Sequence, residues 1–303
     1  MMGSIKAWIL ASRLRTLPLS LSGIIIAAAI AIDSGFFVAS IFSWSLVITV
    51  LLQVLSNVAN DYGDGIKGTD NEYRIGPTRA MQSGLLSAKD LKKGMTVLVV
   101  LTLLAIWRLF VSADLPFVDL MIFVALGFLA LIAAIAYTVG KTPYGYRGWG
   151  DVMVFIFFGG VSVIAGSYLY IQMLSTTQLL FALSIGLYST AVLNLNNLRD
   201  SESDALSHKM TLVVRMGYAK AVIYHHALLI VGFVTYVAGV GQIDANATLI
   251  ALPAALFLRA HLKRVRTAKS ASVTLDPELK KIALFTFFSA VFVLVVVGFK
   301  VYQ

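Results

Sequence analysis

Two stretches of the sequence carry most of what could do chemistry. The first reads Asn57-Val58-Ala59-Asn60-Asp61-Tyr62-Gly63-Asp64 and runs on through Lys67 and Asp70 to Glu72. The second reads Asn194-Leu195-Asn196-Asn197-Leu198-Arg199-Asp200 and runs on through Glu202 to Asp204. Together they hold seven of the fifteen acidic residues. Residues three or four apart share a helix face. Asn57, Asp61 and Asp64 therefore form one stripe, with Asn60 beside Asp64, and Asn196, Asp200 and Asp204 form another. Each stripe continues from an apolar run. A row of carboxylates placed there repels itself and loses hydration, so it demands compensation. A divalent cation supplies it. Ligands that are all oxygen favour Mg²⁺, which takes one or two carboxylates per ion and completes its shell with water and phosphate.

A solvated helix end accounts for one such aspartate; two matched stripes ask for more. A calcium loop does not fit: counted from Asp61, the third position is Gly63, and counted from Asp200, the sixth is Ala205 and the twelfth Thr211. No phosphate-binding glycine motif is present, and the nearest histidine pair, His225 and His226, is adjacent and points two ways on a helix. Basic residues follow both stripes: Arg74 and Arg79 after the first, Lys209 and Arg215 after the second. Cations beside metal-bound carboxylates suit a diphosphate, whose remaining charge they neutralise. Gly76, Pro77 and Gly84 allow the first loop to turn back over the site.

The elements that must position these stripes are membrane spans. Of 303 residues, 59% are hydrophobic and 13% charged, with a mean hydropathy of +0.86; a soluble domain carries about twice that charge. Nine apolar segments, approximately 17–33, 41–60, 94–113, 117–139, 151–172, 177–197, 221–240, 246–262 and 281–299, are long enough to cross a bilayer. With nine crossings, nearly all Lys and Arg fall on one face: Lys6, Arg13 and Arg15, Lys67 to Lys93, Lys141 and Arg147, Arg199 to Lys220, and the run from Arg259 to Lys281. The other face keeps Arg108 and Lys300. The rich face is cytoplasmic by the positive-inside rule, which puts the C-terminus outside. The net charge of +9 is thus orientation, not nucleic-acid binding. Lys263, Arg264, Arg266 and Lys269 read as a contact with anionic headgroups. Residues 5–18, with Trp8, read as an amphipathic lead-in on the membrane surface. The absence of cysteine excludes disulfides, thiolate metal sites and thiol nucleophiles. No linker interrupts the chain, so residues 1–303 read as one domain. A cation-coupled transporter is the alternative from another class, but it would place its acids near the bilayer midplane.

These motifs resemble the UbiA superfamily of intramembrane prenyltransferases, and most of all its 1,4-dihydroxy-2-naphthoate polyprenyltransferases of the MenA type. The resemblance rests on Asn60-Asp61-Tyr62-Gly63-Asp64 with Lys67-Gly68-Thr69-Asp70 and Arg74-Ile75-Gly76-Pro77, on Asn196-Asn197-Leu198-Arg199-Asp200 with Asp204, Lys209 and Arg215, and on Tyr144-Gly145-Tyr146-Arg147-Gly148-Trp149-Gly150-Asp151. Relatives acting on 4-hydroxybenzoate place a second acid four residues after Asp64; here Gly68 stands there and the next acid is Asp70, as in the naphthoate group. The resemblance implies an all-α bundle of nine transmembrane helices in the bacterial inner (cytoplasmic) membrane. It implies one Mg²⁺ held by Asn60, Asp61 and Asp64 and another by Asn196, Asp200 and Asp204, with Asp61, Asp64, Asp200 and Asp204 essential for catalysis and Asp200→Asn leaving the fold intact. Lys67, Arg79, Lys141 and Lys209 would meet the donor diphosphate, while Tyr62, Tyr137, Arg147 and Asp151 would meet the acceptor. The implied reaction joins a polyprenyl group to the naphthoate with loss of carbon dioxide, a step of menaquinone synthesis. Homogentisate or 4-hydroxybenzoate would be the acceptor in other branches.

Overall fold

The structure is a computed structural model and describes residues 4–70, 75–268 and 273–301. Glu72, Arg74 and Lys269 lie outside the described residues. Every regular element among the described residues is helical. A short α1 (Ile5–Ser12) ends where Arg13 turns left-handed, at φ 46°, and a single turn leads into α2 (Leu17–Asp33). Next come α3 (Ala39–Lys67), α4 (Ala88–Ala113) and α5 (Phe117–Ala136). A continuous rod, Gly150–Ile171, consists of α6 (Gly150–Val154), a π-helical stretch Phe155–Ala165 and α7 (Gly166–Ile171). Then follow α8 (Thr176–Arg199), the short α9 (Ser201–Leu206) and α10 (Leu212–Met216), α11 (Tyr218–Ile243), α12 (Ala247–Ala251), α13 (Ala254–Thr267) and α14 (Leu275–Val301).

Local chemistry sets these boundaries. Capping boxes open α4 (Ser87 with Asp90) and α8 (Ser175 with Gln178). Gly68, at φ 71°, ends α3 just beyond its acidic stripe. Among the described residues eight helices are long and apolar enough to cross a membrane. They match eight of the nine expected segments. The ninth, 246–262, is helical in two pieces, α12 and α13, because Pro253 has no N–H to continue the ladder and constrains the residue before it.

The central helix is α8. Its Phe181, Ile185, Tyr188, Leu195 and Leu198 are buried, in one core with Ile26, Leu229 and Ile282 from α2, α11 and α14. The rod approaches α8 closely: a Cβ on Gly159 would lie 2.4 Å from the Ala182 carbonyl oxygen. α3 pairs with α4, and α1 lies across α3, where Ala7 and Ala11 are buried with Val58, Ala80 and Leu91. The surface lead-in expected from the sequence is thus docked on the bundle through one face, while Ile5 and Ile9 remain exposed.

Candidate active site

Both acidic stripes end at the same end of the bundle. Asp64 is 1% exposed. It receives hydrogen bonds from Arg79 Nη1 at 2.6 Å and from the Tyr146 hydroxyl at 2.7 Å. Arg79 comes from the returning loop, as its glycines and proline suggested, and also reaches the Asn60 carbonyl at 2.7 Å and Asp70 at 3.0 Å. Asp204, from α9, is 3% exposed. The Lys209 ammonium lies between the two stripes, 3.9 Å from Asp64 Oδ2 and 3.5 Å from Asp204 Oδ1. Burial pushes the Asp204 carboxyl up to about 6, which Lys209 partly offsets. Burial alone would lower the Lys209 ammonium, but Asp64 and Asp204 outweigh it and hold it above its ordinary value. Asp204 Oδ2 is buried and has no hydrogen-bond partner.

Asp64, Arg79 and Lys209 stand at the polar end of a cavity of about 700 Å³, and Asp204 sits behind Lys209 without lining it. Asn60, Asp64, Arg79, Asn196, Lys209 and the Tyr137 ring line that end. Beyond it the walls turn apolar, with Ile24, Leu52, Ile106, Phe110, Phe157 and Val161 among them. The combination is a charged anchor at the mouth of a greasy chamber. It suits an amphiphile with an anionic head and a hydrocarbon body.

The UbiA prenyltransferase family model matches residues 19–284. The chain belongs to the UbiA prenyltransferase family. It is 45% identical over 224 residues to the 1,4-dihydroxy-2-naphthoate octaprenyltransferase of Escherichia coli (strain K12), covering 74% of this chain and 73% of that one. It is 34% identical over 261 residues to the protein of the same name from Mycobacterium tuberculosis (strain ATCC 25618 / H37Rv), covering 84% and 85%. Among solved structures, a UbiA homologue from Archaeoglobus fulgidus bound to DMAPP and Mg²⁺ superposes with a TM-score of 0.62 at 13% identity, covering 95% of this chain and 99% of that one. At that identity the likeness speaks for the fold. The protein is thus a multi-pass membrane member of the UbiA family.

Several residues expected at the site of this UbiA chain sit elsewhere. Asp61 does not line the cavity. Its two oxygens accept the backbone N–H groups of Ala80 and Met81, each at 3.1 Å. It therefore pins the loop that delivers Arg79. Asp200 also faces away: Arg199 grips it with Nε at 2.9 Å and Nη2 at 2.7 Å. Lys67 donates to the carbonyls of Thr138 and Gly140, at 2.7 and 3.2 Å, clamping the loop after α5. Lys141 and Arg147 are exposed and do not line the cavity. Tyr62 packs beneath Lys92, 5.4 Å from its ring centroid. Asp151 is buried behind the rod's first turn and hydrogen-bonds Tyr224. Asn60, Asp64, Asn196, Arg79, Lys209 and Tyr137 are brought together. Tyr146, which the sequence reading named only as part of a motif, supplies a hydroxyl to Asp64.

Arg13 and Arg15 were missed as site residues; both line the cavity. Their signal in the sequence was indistinguishable from positive-inside bias. What aims Arg13 is the left-handed backbone at that residue, and no composition argument foretells it.

Asp61→Ala is expected to be destabilising by about 2–4 kcal/mol, since two backbone donors lose their acceptor. It should lower activity indirectly, by freeing the Arg79 loop. Thermal melting and limited proteolysis of residues 75–86 would show this together; an Asp61→Ala protein as stable as its parent but inactive would return Asp61 to the metal-binding set.

Proposed function

We propose that the protein transfers a polyprenyl group from a polyprenyl diphosphate to 1,4-dihydroxy-2-naphthoate, with loss of carbon dioxide, in a Mg²⁺-dependent reaction giving demethylmenaquinol, the reduced form of demethylmenaquinone. The observation that carries it is the 45% identity, over about three quarters of both chains, with a relative of that name. The geometry supports it: two acids from separate stripes converge on one lysine at the polar end of an apolar cavity.

The residues present fit Mg²⁺. Asp64 and Asp204 with the amide oxygens of Asn60 and Asn196 form an all-oxygen donor set, and the buried Asp204 Oδ2 has no hydrogen-bond partner. Among the described residues no three acidic or histidine side chains stand close enough to cage a metal. That matches an ion which takes few protein carboxylates and shares its shell with water and substrate phosphate. When bound, Mg²⁺ neutralises the diphosphate and makes it a better leaving group.

The chain's own residues account for the rest. Lys209 and Arg79 meet the remaining diphosphate charge as the allylic carbon–oxygen bond breaks and its electron pair stays with the diphosphate. The apolar walls keep water from the resulting allylic cation. The Tyr137 ring, T-shaped against Tyr144 at 5.3 Å, lines that space, where an aromatic ring attracts a cation. A ring carbon of the naphthoate supplies the electron pair of the new carbon–carbon bond, and the carboxylate leaves as carbon dioxide, its bonding pair restoring the aromatic ring. Asp61 and Asp200 act as positioning residues in this reading. In this reading the membrane is the cytoplasmic one, with the N-terminus and the site inside and the C-terminus outside, which the Lys and Arg distribution supports.

Purified protein in detergent, offered 1,4-dihydroxy-2-naphthoate and 4-hydroxybenzoate in parallel with and without Mg²⁺, tests this. The expected result is Mg²⁺-dependent product and carbon dioxide from the naphthoate alone. Turnover of the benzoate alone would discard the acceptor and keep the reaction class.

A further inference from the structure

The helix that follows the Pro253 break has a surface for which prenyl transfer finds no use. α13 is two-sided. Leu258, His261 and Val265 are buried. On the opposite side Leu256, Arg259, Lys263 and Arg266 follow one another three or four residues apart, one helical stripe, and all four are exposed. Leu256 is 69% exposed, and Leu252, one turn back across the break, 47%. The acids at the start of α14 are engaged elsewhere. Glu278 accepts hydrogen bonds from His261 Nδ1 and from Arg264 Nε, both at 2.7 Å, and pairs with Lys281. Asp276 pairs with Arg199 and Arg15. Arg264, expected from the sequence to meet headgroups, is thus turned onto Glu278, and Arg259 joins the outer stripe. Among the described residues Arg259, Lys263 and Arg266 take part in no ion pair.

We propose that this stripe binds an anionic phospholipid, its phosphate held by Arg259, Lys263 and Arg266 and an acyl chain laid along Leu256 and Leu252. Charge and order both point to this occupant. A cation that faces lipid without a partner is costly, and a long side chain relieves the cost by carrying its head to the headgroup level. Arg259 stands eight residues before the end of α13 at Thr267, about 12 Å along the axis, with the exposed leucines beyond it. Phosphate and then hydrocarbon is the sequence of groups in a phospholipid, and cations and then leucines is the sequence along the stripe. A soluble anion would use the basic half and ignore the rest. The buried side fixes the direction in which the stripe faces. His261 Nε2 meets His225 Nε2 of α11 at 2.9 Å, and its Nδ1 meets Glu278 of α14, so α13 cannot roll without breaking a buried chain of polar contacts. A lipid on the outer face therefore clamps α13 against the start of α14, where Asp276 lines the cavity and holds Arg199. Binding should stabilise that end of the bundle although the lipid never enters the cavity. The site needs a membrane around the chain and none of the cavity's chemistry.

The test melts the full chain, purified in a neutral detergent and stripped of lipid, across a titration of phosphatidylglycerol. Phosphatidylcholine and glycerol 3-phosphate form parallel arms. Phosphatidylglycerol should raise the melting temperature in a saturable way, and the other two should leave it where it was. The triple variant Arg259→Gln, Lys263→Gln, Arg266→Gln should weaken the apparent affinity for phosphatidylglycerol by roughly tenfold or more, since one basic residue near an anionic lipid surface adds roughly fivefold. A second triple variant, Lys6→Gln, Lys89→Gln, Lys93→Gln, removes the same charge from α1 and the start of α4. It should keep the parent's affinity, which separates a site from a diffuse pull on the whole basic face. Lys263→Gln alone, with an expected loss of roughly fivefold, carries the test if the first triple variant fails to fold. An unaltered chain that melts alike with and without phosphatidylglycerol overturns the site, as does one that phosphatidylcholine protects equally. Equal protection by glycerol 3-phosphate would make it a site for soluble anions. Unchanged affinity in the stripe variants, or equal loss in the second triple variant, overturns it too.

Discussion

Asp64→Asn is expected to lower kcat/KM for prenyl transfer by on the order of 10²–10³-fold, the scale on which one preorganised electrostatic group acts at a developing charge. Asp64 brings three functional neighbours to one point: Arg79 at 2.6 Å, the Tyr146 hydroxyl at 2.7 Å and Lys209 at 3.9 Å. The amide is nearly isosteric and can still accept one hydrogen bond, but it brings no charge to a divalent ion and turns a donor toward one of its partners. The fold should persist. Arg79 keeps Asp70 at 3.0 Å and the Asn60 carbonyl at 2.7 Å, and Lys209 keeps Asp204. Initial rates across a Mg²⁺ titration, with thermal melting of the same preparation, would check both halves. The Mg²⁺ concentration for half-maximal rate should rise as the rate falls. An Asp64→Asn enzyme within about threefold of its parent would remove Asp64 from the site, since losing even one hydrogen-bonded charge in such a place costs more than that.

Burial and helical spacing made the outline of this molecule legible in advance. Runs of apolar residues located the spans because lipid leaves the backbone no alternative to the helix. The bias of Lys and Arg located the end at which the site lies. The stripe logic picked out Asp64, Asn60 and Asn196, and the cations placed after the stripes picked out Arg79 and Lys209, all of which line one cavity. What it could not find was the direction of a side chain at the margin of a helix. Asp61 and Asp64 are three apart and share a face by count, yet one meets the amides of Ala80 and Met81 and the other lines the cavity. The difference is made by a loop sixteen or more residues downstream in sequence. The same holds for Lys67, drawn onto the carbonyls of Thr138 and Gly140 by the loop after α5. Pro253 was visible as a residue but not as the break in the expected segment 246–262, because an apolar window sums hydropathy and ignores a missing N–H.

The second stripe separates structure from chemistry most sharply, and Asp200→Asn is the variant that shows it. From spacing alone, Asp200 and Asp204 are equivalent acids one turn apart. In the structure Arg199, 1% exposed, holds Asp200 with two of its nitrogens and reaches Asn196 Oδ1 at 2.8 Å and Asp276. This knot ties the end of α8 to the start of α14. Asp200→Asn leaves a buried guanidinium facing an amide that offers one acceptor and one unwanted donor. The expected result is a destabilisation of about 3 kcal/mol, softened by the remaining Asp276, together with a fall in activity as Asn196 loses its support. This differs from the intact fold that spacing implied. Asp204→Asn should behave oppositely. Its Oδ2 has no partner to lose, and the remaining amide oxygen can still face Lys209 in place of Oδ1, so melting should stay close to that of the parent while Mg²⁺-dependent turnover collapses. Melting temperatures and rates measured on the two proteins side by side decide the matter. Should Asp200→Asn melt with the parent and still be inactive, Asp200 would be a metal ligand after all, and the Arg199 pair a latch that opens when the ion arrives.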